Sequence, residues 1–161
     1  MGLDIRYYGH LEPCPTPPDE ENYPDYMLKI YEQTEWPTHL TPLKPGWHSK
    51  CGYHSEGRFR AGSYSGYSRW REQLSQAIHG VEPRTIWQER HWENKPFFGI
   101  IHFTDCDGVI GASMSGVLAN EFKEHRHFFA ARVPDDYALH IYDDFAHAFA
   151  VAARSGAVIF T

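Results

Sequence analysis

The sequence predicts an α+β fold: a mainly antiparallel sheet with an antiparallel helix pair and one further helix packed on it. Three observations lead there. Residues 3–8 alternate Leu3, Ile5 and Tyr7 with Asp4, Arg6 and Tyr8, the period of a strand with one wet face, and residues 157–160 form a second short apolar segment at the other end of the chain. Two long stretches in the C-terminal half repeat their apolar residues at helical spacing. No alternating strand–helix–strand series occurs, which argues against a doubly wound nucleotide-binding sheet.

The 161 residues fit one domain, 1–161, with an irregular Pro-rich loop region at about 13–57. Four prolines, Pro13, Pro15, Pro17 and Pro18, stand within six residues and leave the backbone extended and short of donors. Residues 26–31 read as a short strand bounded by Pro24 and Pro37. From 36 to 57 no period is sustained, so that stretch reads as loop with short pieces of strand.

The first helix is predicted from Tyr67, Trp70, Leu74, Ala77 and Ile78, which share one face, with Ser65 or Ser68 as its cap and Gly80 as its stop. Residues 81–96 read as a short strand or an exposed aromatic connection. Residues 97–103 form a dense apolar run that reads as a buried strand, and Asp107-Gly108 reads as the turn of a hairpin returning through Val109 and Ile110. A long helix then follows to about Ala131 on Met114, Leu118, Phe122, His125 and Phe129. Pro134 is expected to open the last helix, with Asp135 and Asp136 in its first turn. Its expected stripe is Leu139, Tyr142, Ala146, Phe149, Ala150 and Ala153.

Composition narrows the function. A net charge of −6 opposes a protein that works by neutralising phosphates, so no direct nucleic-acid binding is expected. No apolar run approaches a membrane span, and the N-terminus has neither the basic nor the apolar part of a signal peptide. Three cysteines, Cys14, Cys51 and Cys106, without framework spacing read as reduced thiols of a cytoplasmic protein.

Two polar blocks carry the candidate chemistry. Arg60, Gly62, Ser63, Tyr64, Ser65, Gly66, Tyr67 and Arg71 combine small residues, hydroxyls, rings and positive charge where a helix begins. Such a place offers backbone N–H groups to an anion, and arginine grips a phosphate through two bonds. Asp105 and Asp107 stand two apart, where extended backbone would turn both carboxylates to one side. Flanked by these acids, Cys106 has its thiolate disfavoured and is not read as a nucleophile. His48, Cys51 and His54 are a candidate metal pattern of imidazole and thiolate ligands, though not at a common finger spacing. No cofactor is expected.

The segments Met1-Gly2-Leu3-Asp4-Ile5, residues 59–67 with Trp70-Arg71, and residues 103–111 resemble a group of small proteins encoded in phage and prophage-bearing bacterial genomes. No activity is attached to that group, so the resemblance assigns no role to any residue. It implies a setting: an accessory protein in a bacterial cell, in phage–host conflict.

Three functions are expected, in this order. The first is non-catalytic binding of a small phosphate-bearing or nucleotide-like ligand, which would sequester a host signalling molecule. Gly62 to Tyr67 and Arg71 would hold the anion, and Asp105 and Asp107 would take hydroxyls or an amine. The second is inhibition of a host defence enzyme by direct protein binding. The third is a metal-dependent hydrolase using Asp105 and Asp107.

Overall fold

The computed structural model describes residues 2–32, 43–51, 55–103 and 107–161. Its main sheet has four strands: β1 (Asp4–Tyr8), β5 (Glu56–Arg60), β6 (Gly108–Gly111) and β7 (Ala157–Phe160), in the order β5-β1-β7-β6. A second sheet has three strands: β2 (Leu11–Pro13), β3 (Met27–Ile30) and β4 (Gly46–Lys50), in the order β2-β4-β3. Every pairing is antiparallel. The first and last strands lie side by side, so the two ends of the sequence close the sheet's centre.

Alternation along β1 divides the molecule. Ile5 is fully buried beneath the helices together with Ile110, Val158 and Phe160, whereas Asp4 and Arg6 face outward. The three-stranded sheet covers part of that outer face, where Leu11 and Ile30 meet Val109 and Ala157 with Tyr8, Leu28 and Ile159 alongside. The result is a helical layer, a four-stranded sheet and a smaller sheet that stops short. The outer side of β1 and β5 remains open, with Arg6, Arg58 and Arg60 exposed.

The helices are α1 (Tyr64–His79), α2 (Pro83–Gln88), α3 (Phe98–Ile101), α4 (Ala112–Arg132) and α5 (Asp136–Ala152). The long pair α4 and α5 packs together as an antiparallel hairpin, and α1 lies against α4. Phe122 of α4 sits at the centre of an aromatic core. Its ring meets Phe97 and Tyr142 edge-on at 4.9 and 4.7 Å and stacks with Phe149 at 5.7 Å. Buried Tyr and Trp need partners for their polar ends: the Tyr142 hydroxyl donates to Phe122 O at 2.7 Å, and Trp70 Nε1 donates to Ala138 O at 3.1 Å.

Several local expectations are corrected. Residues 97–103 do not form a strand. Phe97 stands at φ +60°, and the following Phe98–Ile101 close one short helical turn buried on every side. A run apolar all round suits a buried helix as well as a buried strand. β6 therefore has no partner in that run and pairs with β7, so the expected hairpin is absent. The segment after Gly80 becomes α2 and a 3-10 turn at Arg90–Asn94 rather than a strand. Ser63, not Ser65 or Ser68, caps α1. Asp135 caps α5, accepting from the N–H groups of Tyr137 and Ala138, so Pro134 precedes the helix instead of opening it. The stripe of α5 is turned by part of a step: Ile141 and Phe145 are core, while Ala150 and Ala153 are exposed.

Candidate ligand groove

Arg71 ties the start of α1 to the end of the buried run at 97–103. Its buried guanidinium donates to Phe103 O at 2.5 Å and to Ser68 Oγ at 3.4 Å. It also lies over the rings of Tyr67 and Trp87, at 5.0 and 5.7 Å. Tyr67 is fully buried, stacked on Trp70 at 5.8 Å. Ser63 Oγ accepts the Gly66 N–H at 3.0 Å, which satisfies one of the free donors at the helix start, and lies 3.1 Å from Ser65 Oγ. Gly62 has φ +101°, a conformation that side-chain-bearing residues resist. Arg60 is exposed, 4.0 Å from Asp4. A ligand reaching this corner from solvent meets Arg60, Ser63 and Ser65, with Gly62, Tyr64 and Gly66 half-buried behind them. Tyr67 and Arg71 hold the corner together from within. Asp107 is exposed, and Asp105 and Cys106 lie outside the described residues.

The candidate metal pattern divides. His48 is buried between the sheets with Nδ1 3.2 Å from Gly46 O, and Cys51 is a half-buried free thiol beside Ser49. His54 lies outside the described residues. Among the described residues no group of three His, Cys, Asp or Glu is placed to hold a metal ion.

A different place has the shape of a site. Where the small sheet stops short of covering the main one, two adjoining cavities of about 440 and 430 Å³ open. Both are lined by Tyr8, Lys50 and Glu56. The first adds Gly9, Asp25, Tyr26 and Ser55, and the second adds Arg6, Gly57 and Arg58. Lys50 Nζ lies 3.0 Å from Glu56 Oε2 and 5.6 Å from the centre of the Tyr8 ring. One wall is thus aromatic and the other cationic.

The cationic wall follows from register. Arg6 lies directly opposite Arg58 across the β1–β5 ladder. Like charges placed opposite each other on neighbouring strands repel. The rows on either side carry Asp4 opposite Arg60 and Tyr8 opposite Glu56, and those acids stand beside Arg60 and Lys50. Among the described residues, neither Arg6 nor Arg58 has a carboxylate within ion-pair distance. The register thus sets two arginines on one face of an open groove, the chemistry that suits an anion able to accept from both. The sequence shows Arg6 as a wet-face residue, but its juxtaposition with Arg58 exists only once the strands are paired.

A second place departs from ordinary ionisation. Glu121 of α4 is largely buried, and burial pushes its carboxyl up to about 7, opposed by the Phe97 N–H that donates to it at 2.7 Å and reinforced by Glu124. It borders a cavity of about 450 Å³ lined also by Lys95, Phe98, Met114 and Val117. Nearby, burial lowers the pKa of His79, whose Nε2 lies 2.8 Å from Pro96 O. Glu121 takes no part in the sequence's candidate set. Its spacing three residues from Leu118 and seven from Met114 is the signal that puts it on a half-buried face.

No helix among the described residues is long and apolar enough to cross a membrane. Neither a protein-family model, a curated protein nor a solved structure matches the chain.

Proposed function

We propose that the protein is a non-catalytic binder of a small phosphate-bearing, nucleotide-like ligand, seated in the groove between β1, β5 and β4. The observation that carries this reading is the Arg6–Arg58 pair, set opposite each other across the strands of the cationic wall, with no acidic partner within ion-pair distance among the described residues. Arg6 and Arg58 hold the phosphate, with Lys50 at the junction of the two cavities. Tyr8 and Tyr26 offer ring faces to a base, and Asp25 and Glu56 offer acceptors to ribose hydroxyls or an exocyclic amine. Each cavity is of the size range that takes a small ligand. In the phage–host setting implied by the resemblance, such a protein sequesters a host signalling nucleotide.

Calorimetric titration with mono-, di- and cyclic nucleotides and inorganic phosphate tests the proposal. One nucleotide class binds at a ratio of about one to one, and Arg6→Ala/Arg58→Ala weakens it by about 100-fold, the scale of two charged hydrogen-bond contacts. No binding by any member of the panel, or equal binding by the double variant, overturns it.

A further inference from the structure

The net negative charge is concentrated in one stretch of the chain. Residues 12–32 hold six carboxylates, Glu12, Asp19, Glu20, Glu21, Asp25 and Glu32, against one cation, Lys29. Six minus one leaves −5, in a chain whose whole net charge is −6. The same stretch carries three of the large side chains left in solvent: Tyr23 at 48%, Tyr26 at 55% and Tyr31 at 67% exposure. Exposed rings clustered on a small sheet are the composition of a recognition surface, because tyrosine brings large contact area with little side-chain entropy to lose.

The surface already performs the contact it would make with a partner. β3 and β4 set Lys29 opposite Trp47 on the outer side of the three-stranded sheet. Lys29 Nζ lies 5.3 Å from the centre of the Tyr31 ring and 5.8 Å from that of Trp47, and it pairs with the carboxylate of Glu20. Tyr23 stands edge-on to Trp47 at 4.6 Å. One cation is thus held by ring faces and a carboxylate together. The remaining acids and rings of the stretch offer the same pair of contacts outward.

We infer that the outer face of the three-stranded sheet, with the acidic segment 12–32 around it, docks a basic patch on another protein. The partner's Arg and Lys side chains lie against Tyr23 and Tyr31 and pair with the surrounding carboxylates. Charge complementarity selects this occupant: a segment carrying five of the six carboxylates outside the groove repels nucleic acid and attracts proteins that bind it. The docking face is the outer side of the three-stranded sheet and the ligand groove the cationic outer side of β1 and β5; Asp25 and Tyr26, which line the groove, belong to the latter and are left out of the docking contacts.

The test is displacement from DNA. Proteins of a bacterial lysate are bound to immobilised double-stranded DNA and challenged with the full chain. The expected result is release of one basic protein, or a few. Each, once purified, titrates with the chain at a fixed ratio and weakens about tenfold or more between about 50 and 300 mM salt. Tyr31→Ser and Asp19→Asn/Glu21→Gln/Glu32→Gln each reduce the affinity about tenfold while the thermal melt stays unchanged, because all four positions are on the surface. Arg6→Ala/Arg58→Ala leaves displacement intact, which separates this face from the groove. Release of nothing, equal release by the surface variants, or self-association of the chain through these residues overturns the inference.

Discussion

Replacing Glu121 by Gln should stabilise the protein above neutral pH and leave it unchanged in acid. The folded carboxyl titrates at about 7, above its ordinary 4.5. Between those values the folded state holds a proton that the unfolded chain releases, so stability falls as pH rises through the window and the full loss is present above it. The gap corresponds to about 3 kcal/mol as a ceiling. Because the carboxyl borders an open cavity and is partly solvated, about 1–2 kcal/mol is the working figure. Gln keeps an oxygen to accept the Phe97 N–H and carries no charge to desolvate. For a chain of this length the gain is about 3–6 °C in Tm at about pH 8, shrinking to nothing at about pH 4. Scanning calorimetry of both proteins at the two pH values reads this directly. The lowered pKa of His79 acts in the opposite sense, since its stabilising effect is lost as pH falls through the ordinary histidine range. It is common to both proteins and cancels in the difference. A variant that melts at or below the parent at the higher pH, or a difference independent of pH, would refute the reasoning.

Other substitutions probe the scaffold. Phe122→Ala empties the centre of the aromatic core and should cost about 3–5 kcal/mol, read as a drop of about 10 °C or more in Tm by circular dichroism. Ser63→Ala removes the α1 cap and should cost about 1 kcal/mol by denaturant titration without changing the slope. Gly156→Ala places a methyl group 1.7 Å from Tyr8 O, backbone that cannot yield without parting β1 from the start of β7. Its expected outcome is loss of the cooperative melt, and a native-like transition would show that the close approach is unimportant.

The elements with a clean period are legible in the sequence. β1 alternates and α1 repeats, so Ile5 and Trp70 fall inside as their spacing requires. The run from Phe97 misleads because it is buried on all sides, and burial without alternation does not distinguish a strand from a helical turn. The positive φ of Phe97 is imposed by packing and by the bond to Glu121, twenty-four residues away, which no local pattern announces. Of the small sheet only β3 is legible, as the short run at 26–31; β2 is hidden by its prolines, with Pro13 ending it on an edge where no ladder donor is needed. At the site, Arg71 and Tyr67 have the residue types of a ligand-holding block, yet their position on the inner face of α1 turns them toward the core. The Arg6–Arg58 pair lay in plain sight as two residues fifty-two apart, and only strand register makes it one feature.

The central claim is best tested by following backbone amide chemical shifts during titration with a nucleoside diphosphate. The account predicts saturable shifts at Arg6, Tyr8, Lys50 and Arg58. Shifts confined to the start of α1 between Gly62 and Gly66, or none at saturating ligand, would contradict it.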